Sequence, residues 1–112
     1  MPVTPDQFRR FALACPDCVE GSHHGNADFR HGGRVFATLH ADGVTAMVKV
    51  PPGTQQQLLA SGDAFRPASG AWGRAGCTLV SLDRVPRQVV EDAVQSAWQF
   101  AVATATRRTA KK

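Results

Sequence analysis

The segment of residues 19–50 constrains the fold more than any other part of the chain, because short runs of β-forming residues alternate there with glycine-containing turns. Three turn signals divide the segment, at Gly25-Asn26, Gly32-Gly33 and residues 41–43. The first two are typical of two-residue hairpin loops, and the third is typical of a three-residue loop that ends in a left-handed glycine. The segment therefore predicts four antiparallel strands joined as hairpins.

The positions of these turns also predict which residues face each other. Phe29 should lie opposite Phe36 in the second hairpin, and Phe36 should lie opposite Val48 in the third. Because side chains alternate along a strand, Thr38 and His40 should share a face of the sheet with Phe36.

Helix start signals flank this segment. Thr4 and Gln7 form a capping box, in which each side chain bonds the backbone N–H of the other residue, and Pro5 suits the first helical position. Thr54 and Gln57 repeat the pattern and predict a short middle helix. An apolar stripe at helical spacing predicts a last helix that begins near residue 86 and packs along most of its length.

Two terminal helices with one apolar face each bury those faces best against the same side of a sheet. This arrangement predicts a shared core formed by Phe8, Phe11, Phe36, Leu39, Val48, Leu79, Val90, Ala93, Ala97 and Ala101. The chain is long enough for one such core and too short for two. We therefore expect a single domain over residues 1–112, with residues 107–112 as a basic, frayed tail.

The glycine-rich segment of residues 70–76 is interpreted as a turn between two strands, the second of which spans residues 77–82. Its glycines precede a strand, so they do not form a phosphate-binding loop at a helix N-terminus. Hairpin geometry explains these glycines without any function. The functional alternative is a mobile wing that presents Trp72 and Arg74.

The formal net charge of +4 comes entirely from the C-terminus. Residues 1–106 carry equal numbers of basic and acidic side chains, and the excess belongs to Arg107, Arg108, Lys111 and Lys112. A DNA-binding surface usually carries a basic face, because the release of counterions drives much of the affinity. The charge distribution alone therefore gives little support to nucleic-acid binding.

No apolar run reaches the roughly 20 residues that span a membrane, and the N-terminus lacks the pattern of a signal peptide. The three cysteines are an odd number and do not form a disulfide framework. Together these observations predict a cytoplasmic protein without a membrane partner.

Two groups of residues are candidates for redox or metal chemistry. Cys15 and Cys18 form a C-x-x-C motif, but the motif follows a helix, so the helix dipole does not favour a thiolate. Zinc binding by this pair with His23 or His24 is the alternative, although no second pair occurs at zinc-finger spacing. We expect a buried Cys15, an incidental Cys18, and no metal or cofactor.

The order of these elements, with their residues, resembles the MmcQ/YjbR family of small bacterial proteins. The resemblance covers nearly the whole chain, with FRRFALACP at residues 8–16, GGRVFATL at 32–39, VTAMVKV at 44–50, FRPAS at 65–69, GCTLVSLDRV at 76–85 and Ser96-Ala97-Trp98 in the closing helix. It implies a CyaY-like α+β fold: one antiparallel sheet of about six strands, N- and C-terminal helices on one face, and a short middle helix.

The resemblance also implies DNA binding through a double-wing arrangement, without catalysis. Basic and aromatic residues that suit phosphate contact and base stacking are the candidates for this role: Arg34, Lys49, Arg66, Trp72, Arg74, Arg107 and Arg108. The alternative is ordinary surface charge, in which Lys49 and Arg66 pair with local carboxylates.

A second functional class stays open beside DNA binding. The exposed face of the sheet would suit a module that binds a small molecule or a protein, either as a homodimer or with another partner. The sequence carries no acid–base pair or nucleophile motif that indicates an enzyme.

Overall fold

The structure, a computed structural model, describes residues 3–23 and 25–110, without the side chains of His23 and residues 105–110. This part of the chain forms, in order, α1 (Pro5–Leu13), β1 (Val19–His23), β2 (Asn26–His31), β3 (Arg34–Leu39), β4 (Thr45–Lys49), α2 (Pro52–Ala60), β5 (Phe65–Pro67), α3 (Gly70–Arg74), β6 (Cys77–Ser81), a 3₁₀ turn (Leu82–Arg84) and α4 (Arg87–Ala110). None of these helices combines the length and the apolar character that crossing a membrane requires.

The strands form one antiparallel sheet in the order β1-β2-β3-β4-β6-β5. The first four strands are neighbours in the sequence, whereas β6 inserts between β4 and β5. α1 and α4 pack together over one face, where α4 contacts β2, β3 and β4. Neither terminal helix covers the opposite side, which we call the open face. The predicted α+β architecture, with both terminal helices on one side of a single sheet, is confirmed.

The strand register decides which residues reach the open face. Thr38, Met47 and Leu79 lie beside one another there, across β3, β4 and β6. Ala37 and Val48, their neighbours in the chain, point to the other side and are fully buried under the helices. The open face and the core therefore draw on alternate residues of the same strands.

The first two hairpins differ from the prediction by single residues. The second turn forms at the predicted glycines, which have φ angles of 59° and 79°, but the first turn lies one residue early because His23 pairs with Asn26. In the second hairpin Phe29 lies opposite Ala37 rather than Phe36, since the register shifts after Phe29 in a β-bulge. The extra residue in β3 leaves Phe36 and Ala37 both buried.

The third hairpin is also shifted by one residue, because Ala37 lies opposite Val48. The connecting loop spans residues 41–44 and is one residue longer than predicted. Asp42 stabilises this longer loop, since its carboxylate accepts hydrogen bonds from the hydroxyl (2.7 Å) and the backbone N–H (2.8 Å) of Thr45. These hydrogen bonds hold the pKa of Asp42 below its usual value.

Two of the helix predictions need correction. α1 begins as predicted, with Thr4 Oγ1 3.2 Å from the backbone N–H of Gln7. α2 begins at Pro52 instead of near Thr54, because a proline fits the first helical turn without a side-chain cap. Residues 70–74 form a short helix, α3, rather than a simple turn.

Eight of the ten residues predicted for the core are buried. Phe11 is only half-buried against the core. Leu79 lies on the open face, so its assignment to the core is wrong. The pairing of β6 with β4 places Val80 beside Ala46 on the helix side instead, where Val80 is 1% exposed.

Candidate binding site on the open face

A hollow of about 710 Å³ occupies the open face where β3, β4 and β6 meet α3. Its floor includes the apolar side chains of Met47 and Leu79, which are neighbours across β4 and β6. The residues that line its border include Arg34, Lys49 and Trp72. The site therefore joins an apolar floor to two cations and one indole ring.

The hairpin topology brings the two cations together. Arg34 is the first residue of β3 and Lys49 is the last residue of β4. Because β3 and β4 are antiparallel, the start of one strand lies beside the end of the other. Lys49 is in turn paired with Cys77 at the start of β6. Residues that are far apart in the sequence thus meet at one end of the sheet.

Within the described part of the chain, these cations have no carboxylate to neutralise them. Among the described residues, neither Arg34 nor Lys49 forms an ion pair, and Arg34 Nε is buried without a hydrogen-bond partner. Arg66 donates to the hydroxyl of Ser81, at 3.4 Å, and to no other group that the structure describes. The alternative in which Lys49 and Arg66 hold local carboxylates is therefore wrong.

Three arginines elsewhere in the fold are paired. Arg9 contacts Glu20 at 3.2 Å, Arg30 contacts the buried Asp28 at 2.8 Å, and Arg84 contacts Asp63 at 2.7 Å; all three pairs are ionic. Arg34 and Lys49 differ from these three arginines, because neither has an acidic partner among the described residues. Unpaired cations beside an apolar floor favour an anionic ligand.

Trp72 is 71% exposed, which is unusual for the largest apolar side chain. It lies on α3, which packs closely onto the chain before it: a β-carbon built at Gly73 would overlap the carbonyl oxygen of Ala68. The buried Gln55 of α2 also holds α3 in place, because its Nε2 donates to the Gly73 carbonyl at 2.9 Å. The backbone that carries the exposed indole ring is therefore held in place by close packing and by a hydrogen bond.

The predicted pairing of Trp72 with Arg74 in one wing is not observed. Arg74 is exposed at the end of α3 and does not line the hollow. In a strand, residues two apart share a face, but in a helix they are turned by about 200° and point to different sides. The helical conformation of residues 70–74 thus separates the two side chains.

The remaining predicted residues lie around this centre. Arg66 is exposed on β5 and is paired in the sheet with Leu79, so it extends the cationic border. Arg34 and Lys49 also border a smaller hollow of about 150 Å³ against α4, where Thr104 contributes to the wall. Arg107 and Arg108 follow Thr104 by one helical turn, but their side chains lie outside what the structure describes.

The cysteines are neutral thiols at physiological pH. Burial, followed by the nearby Cys18, raises the pKa of Cys15 to about 11. Cys18 Sγ donates to the carbonyl oxygens of Cys15 (3.0 Å) and Ala12 (3.1 Å), and burial raises its pKa as well. Burial also raises the pKa of Cys77, against the opposing effect of Lys49. None of the three favours a reactive thiolate.

Metal binding finds no support among the residues that the structure describes. In this part of the chain no three His, Cys, Asp or Glu side chains are close enough to hold an ion. His24, one of the candidate ligands, lies outside the described residues.

Three contributions to the site were not predicted. Gln55 anchors α3, while Asn26 and His40 border the hollow opposite the cations. The alternation along β3 correctly predicted that His40 shares a face with Thr38, but it placed Phe36 on that face too, and the bulge moves Phe36 to the helix side. Gln55 gave no signal, because it lies in a short helix without a clear apolar stripe.

Comparison with known proteins places the chain among others of this architecture. A family model described as YjbR matches residues 13–100. A similar solved structure is the crystal structure of Deinococcus radiodurans protein DR2400, with the family-model domain DUF419. The TM-score is 0.72 at 20% sequence identity, over 85% of this chain and 75% of that chain, which shows a shared fold. No curated protein matches this chain.

Proposed function

The chain belongs to the YjbR family, and from that premise and the hollow on the open face we propose that it binds nucleic acid without catalysing a reaction. The observation that carries the proposal is the convergence of Arg34, Lys49 and Trp72 on one site. Guanidinium and ammonium groups contact phosphate oxygens, and an indole ring stacks on bases. No carboxylate competes for the two cations among the described residues.

The non-catalytic part of the proposal rests on the chemistry of the site. Among the residues that line the hollow, Cys77 has the side chain with the greatest intrinsic nucleophilicity. Burial keeps it a neutral thiol by raising its pKa, although Lys49 acts in the opposite direction. Such a thiol is suited to line the site and is poorly suited to react as a nucleophile.

Salt-dependent binding tests this function directly. We expect the full-length protein to bind a fluorescein-labelled DNA oligonucleotide at about 50 mM salt, with an affinity that falls steeply up to about 200 mM. About three phosphate contacts correspond to a slope of log K against log salt of about −2.7 for a duplex and about −2.1 for a single strand. Fluorescence anisotropy measures both quantities.

Charge-matched variants locate the binding surface. Arg34→Glu with Lys49→Glu should reduce affinity at least tenfold. The control is Arg10→Glu with Arg87→Glu, which changes the net charge by the same amount at exposed positions on the terminal helices. Equal losses in both double variants would show that only net charge matters. If only the deletion of residues 107–112 reduces the affinity, binding belongs to the tail and the open-face proposal is wrong.

A second candidate function is the binding of a small molecule in the same hollow. Its volume of about 710 Å³ lies within the range of roughly 300–1,000 Å³ that ligand pockets occupy, and its floor is apolar. Retention of an anionic metabolite by the purified protein, with no affinity for DNA, would favour this alternative.

A further inference from the structure

We infer that the hollow holds an unpaired base together with its phosphate, so that the protein prefers single-stranded nucleic acid to duplex. The inference rests on the proposed function and specifies the ligand of the same site. A free nucleotide offers the same chemistry, a planar ring joined to an anion, and the experiment below separates the two sources.

The shape of the site argues for an exposed base. In a duplex the bases are stacked inside and show only their edges in the grooves. The floor formed by Met47 and Leu79 is apolar and recessed on the sheet, and it offers contact to a ring face rather than to a base edge. An unpaired base exposes that ring face to a protein.

The position of Trp72 supplies a stacking partner. Its ring borders the hollow and is 71% exposed, so a base can reach it without displacing other protein groups. The hydrogen bond from Gln55 to Gly73 fixes the backbone beside the ring. Because the backbone that carries the ring is already fixed, binding has to order only the indole side chain.

Arg34 and Lys49 supply the phosphate contact. Arg34 Nε has no partner within the described chain, and free volume lies on both sides of Arg34, in the large hollow and in the smaller one against α4. The side chain therefore has space to rotate and to offer two parallel N–H groups to a phosphate. Both cations lie at one end of the hollow, which fixes the direction of the bound nucleotide.

Polar groups at the opposite end suit a base edge. Asn26 Oδ1 accepts a hydrogen bond from the backbone N–H of Ala41 at 2.9 Å, which holds the side chain and leaves its NH₂ group to donate elsewhere. His40 lies on the same border. Two such groups discriminate poorly among bases, so binding should tolerate many sequences.

The experiment compares three probes on the full chain: a labelled 12-nucleotide single strand, the same strand annealed to its complement, and adenosine 5′-monophosphate. We expect the single strand to bind at least tenfold tighter than the duplex at about 50 mM salt. Trp72→Ala should weaken single-strand binding by about five- to 150-fold, which corresponds to one stacked base. Trp72→Phe should retain most of the affinity, because a phenyl ring also stacks.

Tryptophan emission gives an independent readout. Stacking should quench the emission of Trp72, and the quenching should disappear in Trp72→Phe, where Trp98 is the remaining tryptophan. Trp72 is so exposed that its replacement should leave the melting temperature unchanged. A lowered melting temperature would contradict the exposed position of the Trp72 ring described above.

The outcomes separate the two proposals. Equal affinity for single strand and duplex, with no effect of Trp72→Ala, would overturn this inference and leave nucleic-acid binding intact. Adenosine monophosphate binding as tight as the 12-mer would support the ring-and-phosphate site but assign it to a free nucleotide. Failure of all three probes to bind would overturn both proposals.

Discussion

The side-chain amide of Gln55 donates a hydrogen bond of 2.9 Å to the carbonyl oxygen of Gly73, the residue that follows Trp72. The same nitrogen lies 3.1 Å from the hydroxyl of Thr78 and 3.4 Å from the carbonyl of Cys77. One buried side chain of α2 thus joins α3 to β6. The position of the exposed indole depends on an interior hydrogen bond.

Gln55→Leu should therefore weaken both stability and binding. The buried carbonyl of Gly73 and the hydroxyl of Thr78 would lose this donor but keep their hydrogen bonds to Gly76, so the cost should be about 0.5–1.5 kcal/mol. Urea denaturation measures the loss, and anisotropy with the single-strand probe measures the effect on the site. Gln56→Leu, at an exposed position of the same helix, is the control. Unchanged values for the Gln55 variant would refute the anchoring role.

Gly73→Ala should displace α3. The added methyl group would overlap the carbonyl oxygen of Ala68, so the helix must shift and the packing must open, at a cost of about 1–3 kcal/mol. Gly53→Ala in α2 is the matched control, because a β-carbon there meets nothing within 4 Å. That change should be neutral or stabilising by up to about 1 kcal/mol. Similar thermal melts for the two variants would argue against the close packing.

Stability should fall as the pH rises from about 9 to about 11. The pKa of Cys15 is raised from 9.0 to about 11 in the folded chain, chiefly by burial. Below pH 9 the thiol is neutral in both states; above it the unfolded chain loses the proton first, which favours unfolding by about 1–3 kcal/mol. Urea titrations at pH 8 and pH 10.5 measure the change. Cys15→Ala should reduce this pH dependence, and an identical slope in the variant would exclude Cys15 as its source.

Two phenylalanines of α1 should respond differently to truncation. Phe8 is fully buried and packs edge-on against Phe29 with ring centroids 6.2 Å apart, so Phe8→Ala should cost about 3–5 kcal/mol. Phe11 is half-buried, and Phe11→Ala should cost roughly half as much. Chemical denaturation of the two variants tests the ranking. A larger loss at Phe11 would contradict the observed orientation of the helix.

The features that were predictable from the sequence depend on nearby residues. The Thr4 capping box and the Gly32-Gly33 turn involve residues within a few positions of each other, so their geometry follows from local chemistry. The register of β3 did not follow, because the bulge after Phe29 inserts Phe36 as an extra residue and no turn residue marks that position in the sequence. The conformation of residues 70–74 likewise depends on contact with Ala68.

The residues of the candidate site divide in the same way, into those that the sequence identifies and those that depend on distant contacts. Arg34, Lys49 and Trp72 were identifiable by residue type, and the sheet together with α3 brings them to one site. The role of Gln55 was not identifiable, since its partners Gly73 and Thr78 lie 18 and 23 residues away in the chain. Contacts at such separations depend on the complete fold rather than on a sequence pattern.

The insertion of β6 between β4 and β5 has a consequence for the order of folding. The meander of β1 to β4 closes through short hairpins, whereas the pairing of Lys49 with Cys77 must first close a long loop. Local contacts form early and pairings across long loops form late, because loop closure costs entropy. Arg34 and Lys49 would therefore be in place before Leu79 and Trp72 complete the hollow. A ligand that needs both halves would bind only the fully assembled chain and would stabilise the final step of its folding.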